Sequence, residues 1–187
     1  MPRHSAHPGV RVLVLGGIRS GKSRWAETDI AAPTVRYVAT GRTDPGDPEW
    51  SRRVHAHRSR RPAHWSTVET ADVAAELRTD LRTATLVDDI GGWLTAAMDR
   101  RDAWTGGSVR PDVDELCAAV EGFAGPLSLV SPEVGLTVVP ATVGGRLFAD
   151  ELGTLNQRLA ALCDRVVLVV AGQPLVVKGP RADEEQI

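Results

Sequence analysis

"VLVLGGIRSGKSRWAE", Val12 to Glu27, joins an apolar run to a glycine-bearing turn and then to a polar, helix-forming segment. Gly16, Gly17, Ile18, Arg19, Ser20, Gly21, Lys22 and Ser23 fit the pattern G-x-x-x-x-G-K-[ST] at every position, directly after a strand-like run and directly before a helix-like one. That is the context a P-loop requires. Glycines at 16, 17 and 21 let the chain bend so that its N–H groups turn inward around phosphate oxygens, while the next helix presents its positive end. Lys22 then reaches the terminal phosphates, and the Ser23 hydroxyl is placed to ligate Mg²⁺.

Outward from this stretch, short apolar or β-branched runs recur at Val10–Leu15, Val35–Ala39, Thr85–Val87, Leu127–Val130 and Val166–Ala171. Continuous runs of this kind fit strands buried on both faces, as in a parallel sheet. Helix-like patterns separate them: Lys22–Asp29, Ala71–Leu81, Trp93–Arg101, Val113–Phe123 and Arg146–Leu162. In the last, Leu152, Leu155, Leu159 and Leu162 recur at three- and four-residue steps and form one apolar stripe. The ending "VVLVVAGQPLVVK" reads as two strands flanking a Gly-Gln-Pro turn, an antiparallel hairpin. The predicted fold is therefore α/β, P-loop NTPase-like (RecA-like), with a mostly parallel sheet, helices on both faces and a C-terminal antiparallel hairpin.

A chain of 187 residues that is 42% apolar can bury one core. One catalytic nucleotide-binding domain is expected over residues 10–178, with flexible tails at 1–9 and 179–187. A net charge of −2 excludes a global basic field for nucleic acid. Cys117 and Cys163 lack metal-ligand or CxxC spacing and read as buried free thiols. No run approaches the roughly 18 apolar residues of a membrane span, and the first ten residues lack the apolar centre of a signal peptide. A cytoplasmic protein is expected.

The metal-side acid of a triphosphate site should leave the end of another buried strand, and "TLVDDIGGW" supplies Asp88 followed by Asp89. Asp88 can hold Mg²⁺ or one of its waters; its alternative use is an ordinary helix cap ahead of Trp93. Residues Arg52–Glu69, "RRVHAHRSRRPAHWSTVE", gather three of the chain's five histidines and five arginines within 18 residues. Such a run can be a solvated face or an anion-binding edge. It can also be a nucleophile with its clamp, since an imidazole attacks phosphorus while guanidinium groups hold the oxygens. A zinc site at His55, His57 and His64 is the weaker reading, because i and i+2 point apart on a helix and no cysteine lies nearby.

Taken in order, "GGIRSGKSRWAE", "RVHAHRSRRPAHWSTVET", "LVDDIGGWLT", "EVGLTVVP" and "GRLFADELGTLNQRLAALCDRVVLVVAGQPL" resemble the bifunctional adenosylcobinamide kinase / adenosylcobinamide-phosphate guanylyltransferase family, from about Val10 to Lys178. The resemblance implies a two-step enzyme of cobalamin assembly. It phosphorylates the aminopropanol hydroxyl of adenosylcobinamide with ATP or GTP, then transfers GMP from GTP to that phosphate through a GMP-histidine. It further implies a homotrimer. Matched residue by residue, it places nucleotide contacts at Gly16–Ser23, at Ala39, Thr40 and Gly41, and at Arg58, Ser59, Arg60, Arg61, Glu69 and Asp88. The histidine followed by a basic residue and then Arg-Pro is His57, with Arg58 and Arg61-Pro62 after it.

Three positions depart from the family pattern: Pro132 where Asn usually precedes the glutamate, Thr137 where Gly is usual, and Asp89 where a small residue often follows the strand-end acid. Two other functions compete: a monofunctional kinase for another small alcohol, in which the arginines form only a phosphate lid, and a non-enzymatic nucleotide-dependent switch. His57 in its Arg/Pro setting discriminates the bifunctional enzyme from the monofunctional kinase, and a corrinoid requirement for nucleotide turnover discriminates both from the switch.

Overall fold

Strands β1 (Arg11–Gly16), β2 (Val35–Ala39), β3 (Ser66–Glu69), β4 (Ala84–Asp88), β5 (Leu127–Pro132), β6 (Arg165–Val170) and β7 (Gln173–Lys178) form one sheet in the order β3-β2-β4-β5-β1-β6-β7. All neighbouring pairs are parallel except β6–β7, which is antiparallel. The computed structural model describes residues 9–30, 32–41 and 62–179. Residues 1–8 of the expected tail at 1–9, residues 180–187 of the expected tail at 179–187, and the stretch that holds His55, His57, Arg58, Ser59, Arg60 and Arg61 lie outside the described residues.

Among the described residues five α-helices connect the strands: α1 (Lys22–Asp29), α2 (Val73–Thr79), α3 (Ile90–Arg100), α4 (Arg110–Glu121) and α5 (Val143–Leu162). Alternation along the strands divides the core in two. Val12, Val14, Tyr37, Leu86, Val167 and Val169 face the side covered by α1 through Ala26. Leu13, Val38, Val87 and Leu129 face the opposite side, where residues of α2 to α5 pack. Helices thus lie on both faces, one against four. The leucine stripe of α5 is buried at Leu152, Leu155 and Leu159. Both cysteines are buried free thiols, and burial pushes the Cys163 thiol up to about 12.

Three local features differ from the sequence reading. β3, "STVE", is a strand although it lies within the basic stretch; it is short, polar and at the sheet edge, so it carries no apolar run to betray it. The C-terminal turn is Ala171-Gly172 and not Gly-Gln-Pro. Both residues have positive φ, as a two-residue hairpin turn requires, while Gln173 and Pro174 belong to β7 and pair with Val170 and Val169. Trp104 lies in a loop-like stretch whose tryptophan the sequence reads as exposed. It sits half-buried in a short turn against the core, its Nε1 donating to Asp99 Oδ1 at 2.8 Å.

A charge is buried between β2 and α2. The Arg36 guanidinium donates to Glu76 Oε1 at 3.0 Å, Thr79 Oγ1 at 2.7 Å and Asp80 O at 2.9 Å, and also to the Thr85 hydroxyl. These partners fix α2 against the sheet edge. Arg36→Met leaves the Glu76 carboxylate without its cation and is expected to cost about 3 kcal/mol in urea denaturation.

Candidate active site

The parallel strands all end at one edge of the sheet, which is where ligands bind in open α/β sheets. Register fixes the levels: Ala39 stands opposite Glu69 on one side and Asp88 on the other, and Gly16 stands opposite Pro132. The phosphate-loop candidates, Ala39, Glu69 and Asp88 therefore share this edge. β5 stands between the strand that leads into the loop and the strand that ends in Asp88.

The loop from Gly16 to Gly21 has the bends a phosphate cradle needs. A Cβ on Gly16 would run into the Ser20 hydroxyl and come within 2.8 Å of Val169 O, so only glycine fits there. Gly21, the N-cap of α1, has φ 94, a left-handed value that favours glycine. Ser20 N donates to Gly17 O at 3.2 Å, and Gly172 N of the hairpin turn donates to Ser20 O at 2.8 Å. The Lys22 ammonium folds back over the loop to Gly17 O at 3.4 Å. Ser23 follows as the second residue of the helix, and Ile18 at the loop tip is exposed.

The two acids of "VDD" separate into different tasks. Asp88, the last residue of β4, accepts the Tyr37 hydroxyl at 2.6 Å. Asp89 is the helix cap: its carboxylate accepts from Gly92 N at the start of α3. Thr40 locks this junction. Its N–H donates to Asp88 O at 3.1 Å, its hydroxyl accepts from Asp89 N at 2.9 Å, and the same hydroxyl donates to Asp89 O. Glu133 follows β5 and donates its N–H to Gly16 O at 3.0 Å, tying that strand end to the phosphate loop.

Tyr37 and Thr40 as partners of the acid pair were missed as such. Their signal in sequence is position alone, since β2 neighbours β4 and each ends at the same level. Glu69 ends β3, and Thr70 N donates to Ala39 O at 3.0 Å, so the edge of β3 is drawn toward Ala39–Gly41. The structure thus brings together the loop, Ala39–Gly41, Glu69 and Asp88. Among the described residues no cluster of three or more His, Cys, Asp or Glu is arranged to hold a metal.

Asp89 carries an electrostatic strain with a clear sign. Desolvation raises its carboxyl above the ordinary carboxylate range and the Asp88 charge raises it further, while the Gly92 N–H and Lys22 pull it down. A carboxyl that is raised in the fold binds protons more tightly there than in the unfolded chain, so the penalty is absent below its unfolded value. It grows as pH rises toward the folded value and is complete above it. Asn can keep the cap without the charge. In metal-free protein, Asp89→Asn is therefore expected to equal wild type in stability at acid pH and to exceed it at neutral pH. Urea denaturation across that range checks this, and a gap that shrinks with rising pH would contradict it.

Comparison with known proteins gives the chemistry a family. The family described as cobinamide kinase / cobinamide phosphate guanyltransferase matches residues 12–177. The bifunctional adenosylcobalamin biosynthesis protein CobP of Pseudomonas aeruginosa is 42% identical over 176 residues, covering 91% of this chain and 98% of that protein. The corresponding protein CobU of Salmonella typhimurium is 38% identical over 188 residues, covering 89% and 99%. Among solved structures, a type III secretion system ATPase from pathogenic bacteria superposes with a TM-score of 0.55 at 14% identity, covering 87% of this chain and 51% of that one. That likeness supports the P-loop NTPase-like fold and nothing finer. With the phosphate loop in its strand-to-helix setting and near-full-length relatives on both sides of the alignment, the chain belongs to the cobinamide kinase / cobinamide phosphate guanyltransferase family.

Proposed function

We propose that this chain carries both activities of its family, phosphorylating adenosylcobinamide and then converting the phosphate to adenosylcobinamide-GDP. The phosphate loop at the carboxyl edge of the sheet, with Asp88, Ala39–Gly41 and Glu69 at the same level, is the observation that carries this reading. In the first step the aminopropanol hydroxyl oxygen attacks the γ-phosphorus of ATP or GTP. The bond to the β-phosphate oxygen breaks, the nucleoside diphosphate leaves, and the hydroxyl proton passes to solvent or base. The loop N–H groups and Lys22 hold the oxygens on which charge gathers.

In the second step an imidazole nitrogen of His57 attacks the α-phosphorus of GTP and pyrophosphate leaves. A phosphate oxygen of the corrinoid then attacks the same phosphorus, the P–N bond breaks, and His57 regains its neutral ring. Arg58, Arg60 and Arg61 hold the phosphate during transfer, with Ser59 beside them. Attack requires one ring nitrogen of the imidazole to be unprotonated.

The Ser23 hydroxyl and the Asp88 carboxylate are hard oxygen donors that suit Mg²⁺, which when bound would offset the negative charge of the triphosphate. Ser23→Ala and Asp88→Asn are each expected to raise the Mg²⁺ concentration for half-maximal rate several-fold. Magnesium titration of the kinase step checks this, and superimposable curves would return Asp88 to a purely structural role with Tyr37. A homotrimer in the cytoplasm completes the reading. Among the described residues no helix is long and apolar enough to cross a membrane. The test of the function is conversion of adenosylcobinamide to its phosphate with ATP, and to adenosylcobinamide-GDP once GTP is present. ATP turnover that needs some other alcohol would favour the plain kinase.

A further inference from the structure

Exposed apolar side chains are concentrated where β5 leaves the site edge. Between β5 and α5, Leu136, Val138 and Val139 are 76%, 91% and 73% exposed, and Val143 at the start of α5 is 63% exposed. This segment begins at Glu133, whose N–H is bonded to Gly16 O, so it springs from the rim of the phosphate loop. Ile18, 91% exposed, stands at the tip of that loop.

The segment is tied down along its length. Glu133 Oε1 accepts from Gly135 N at 2.7 Å, and Thr137 Oγ1 donates to Val134 O at 3.0 Å. Arg146 Nη1 donates to Pro140 O at 3.0 Å and Ala141 O at 2.9 Å, and Thr142 Oγ1 accepts from Gly145 N at 3.1 Å. Its valines are thus held outward by a hydrogen-bonded loop. Apolar side chains presented this way, beside a polar site, mark a binding surface.

We infer that this loop is the platform for the corrin ring of the acceptor. The inference rests on the cobinamide reading above and adds to it the surface that holds the ring. The reacting part of cobinamide is the hydroxyl at the end of its aminopropanol arm, and only that arm fits among the phosphates. The macrocycle, with its methyl-studded apolar faces, must then lie outside the cradle but within the arm's reach. The loop that starts at the rim of the cradle supplies an apolar surface there. A second copy of the chain is the rival occupant, and sedimentation of the loop variant separates the two.

The test compares the double variant Val138→Ser, Val139→Ser with the control Leu175→Ser, Val177→Ser on β7, whose side chains are also exposed, at 60% and 62%. All four positions are at the surface, and thermal melts of the full-length proteins verify folding. Adenosylcobinamide binding is read by quenching of tryptophan fluorescence, and KM by the ATP-dependent kinase assay. Loss of the apolar contact is expected to raise Kd and KM for adenosylcobinamide about tenfold, leaving KM for ATP and kcat within about twofold and the control unchanged. Wild-type turnover with an unaltered corrinoid KM in the loop variant overturns the platform alone. So does a loop variant that changes sedimentation but not corrinoid binding, which would make the loop a contact between copies. A wild-type protein that neither binds nor phosphorylates adenosylcobinamide overturns the functional reading and the platform with it.

Discussion

Lys22→Ala is expected to lower both phosphorylation of adenosylcobinamide and GMP transfer by at least about a hundredfold, the scale set by removing one preorganised charge-stabilising donor. The position explains the size. Lys22 opens α1 immediately after the left-handed Gly21, and its ammonium already lies over the loop at Gly17 O. A triphosphate in the loop would take up that ammonium, and a neutral methyl leaves the charge gathering on the transferred phosphoryl group uncompensated. Fold stability should be little changed, since the ammonium makes one long contact to a loop carbonyl. Rates measured separately for the two steps check the prediction. Full kinase activity in Lys22→Ala would show that the triphosphate is held elsewhere.

His57→Ala is expected to separate the two activities, abolishing formation of adenosylcobinamide-GDP while leaving the kinase step within a few-fold of wild type. The kinase step transfers a phosphoryl group directly between two oxygens and needs no protein nucleophile, whereas guanylyl transfer through a histidine stops when the imidazole is absent. His55→Ala, two residues away, should retain both steps. Chromatography of corrinoid products from each variant, with ATP alone and with GTP added, distinguishes these outcomes.

The phosphate loop was legible because its pattern is local: glycine, lysine and serine at fixed spacing between an apolar run and a helix specify the bend without help from the rest of the chain. What sequence hid was set by partners far along it. "STVE" becomes β3 because β2 pairs with it in parallel register, and three polar residues around a single valine cannot announce that pairing. The first turns of α3 and α5 contain Gly91-Gly92 and Gly144-Gly145 and read as loop; Asp89 and Thr142 cap them and start the helices earlier. Arg36 inside a strand is intelligible only once Glu76, Thr79 and Asp80 arrive from α2 and the loop after it.

The division of labour between Asp88 and Asp89 likewise depended on contacts from β2 and α3. Position after an apolar run marks both as strand-end acids. The Tyr37 hydroxyl on one and the Gly92 N–H on the other assign their tasks. The same limit applies to the apolar surface after β5. "GLTVVP" looks like an ordinary buried run in one dimension, and its exposure beside the phosphate loop appears only in the fold.

The central claim is that this site handles GTP in two chemically different ways, and covalent labelling tests it most directly. Protein incubated with Mg²⁺ and GTP labelled at the α-phosphate, then denatured and freed of nucleotide, should retain the label. A bond to histidine nitrogen should be lost in acid and stable in alkali. Wild type and His55→Ala should carry it, and Lys22→Ala and His57→Ala should not. Label retained on His57→Ala, or absent from active wild type, would contradict the account.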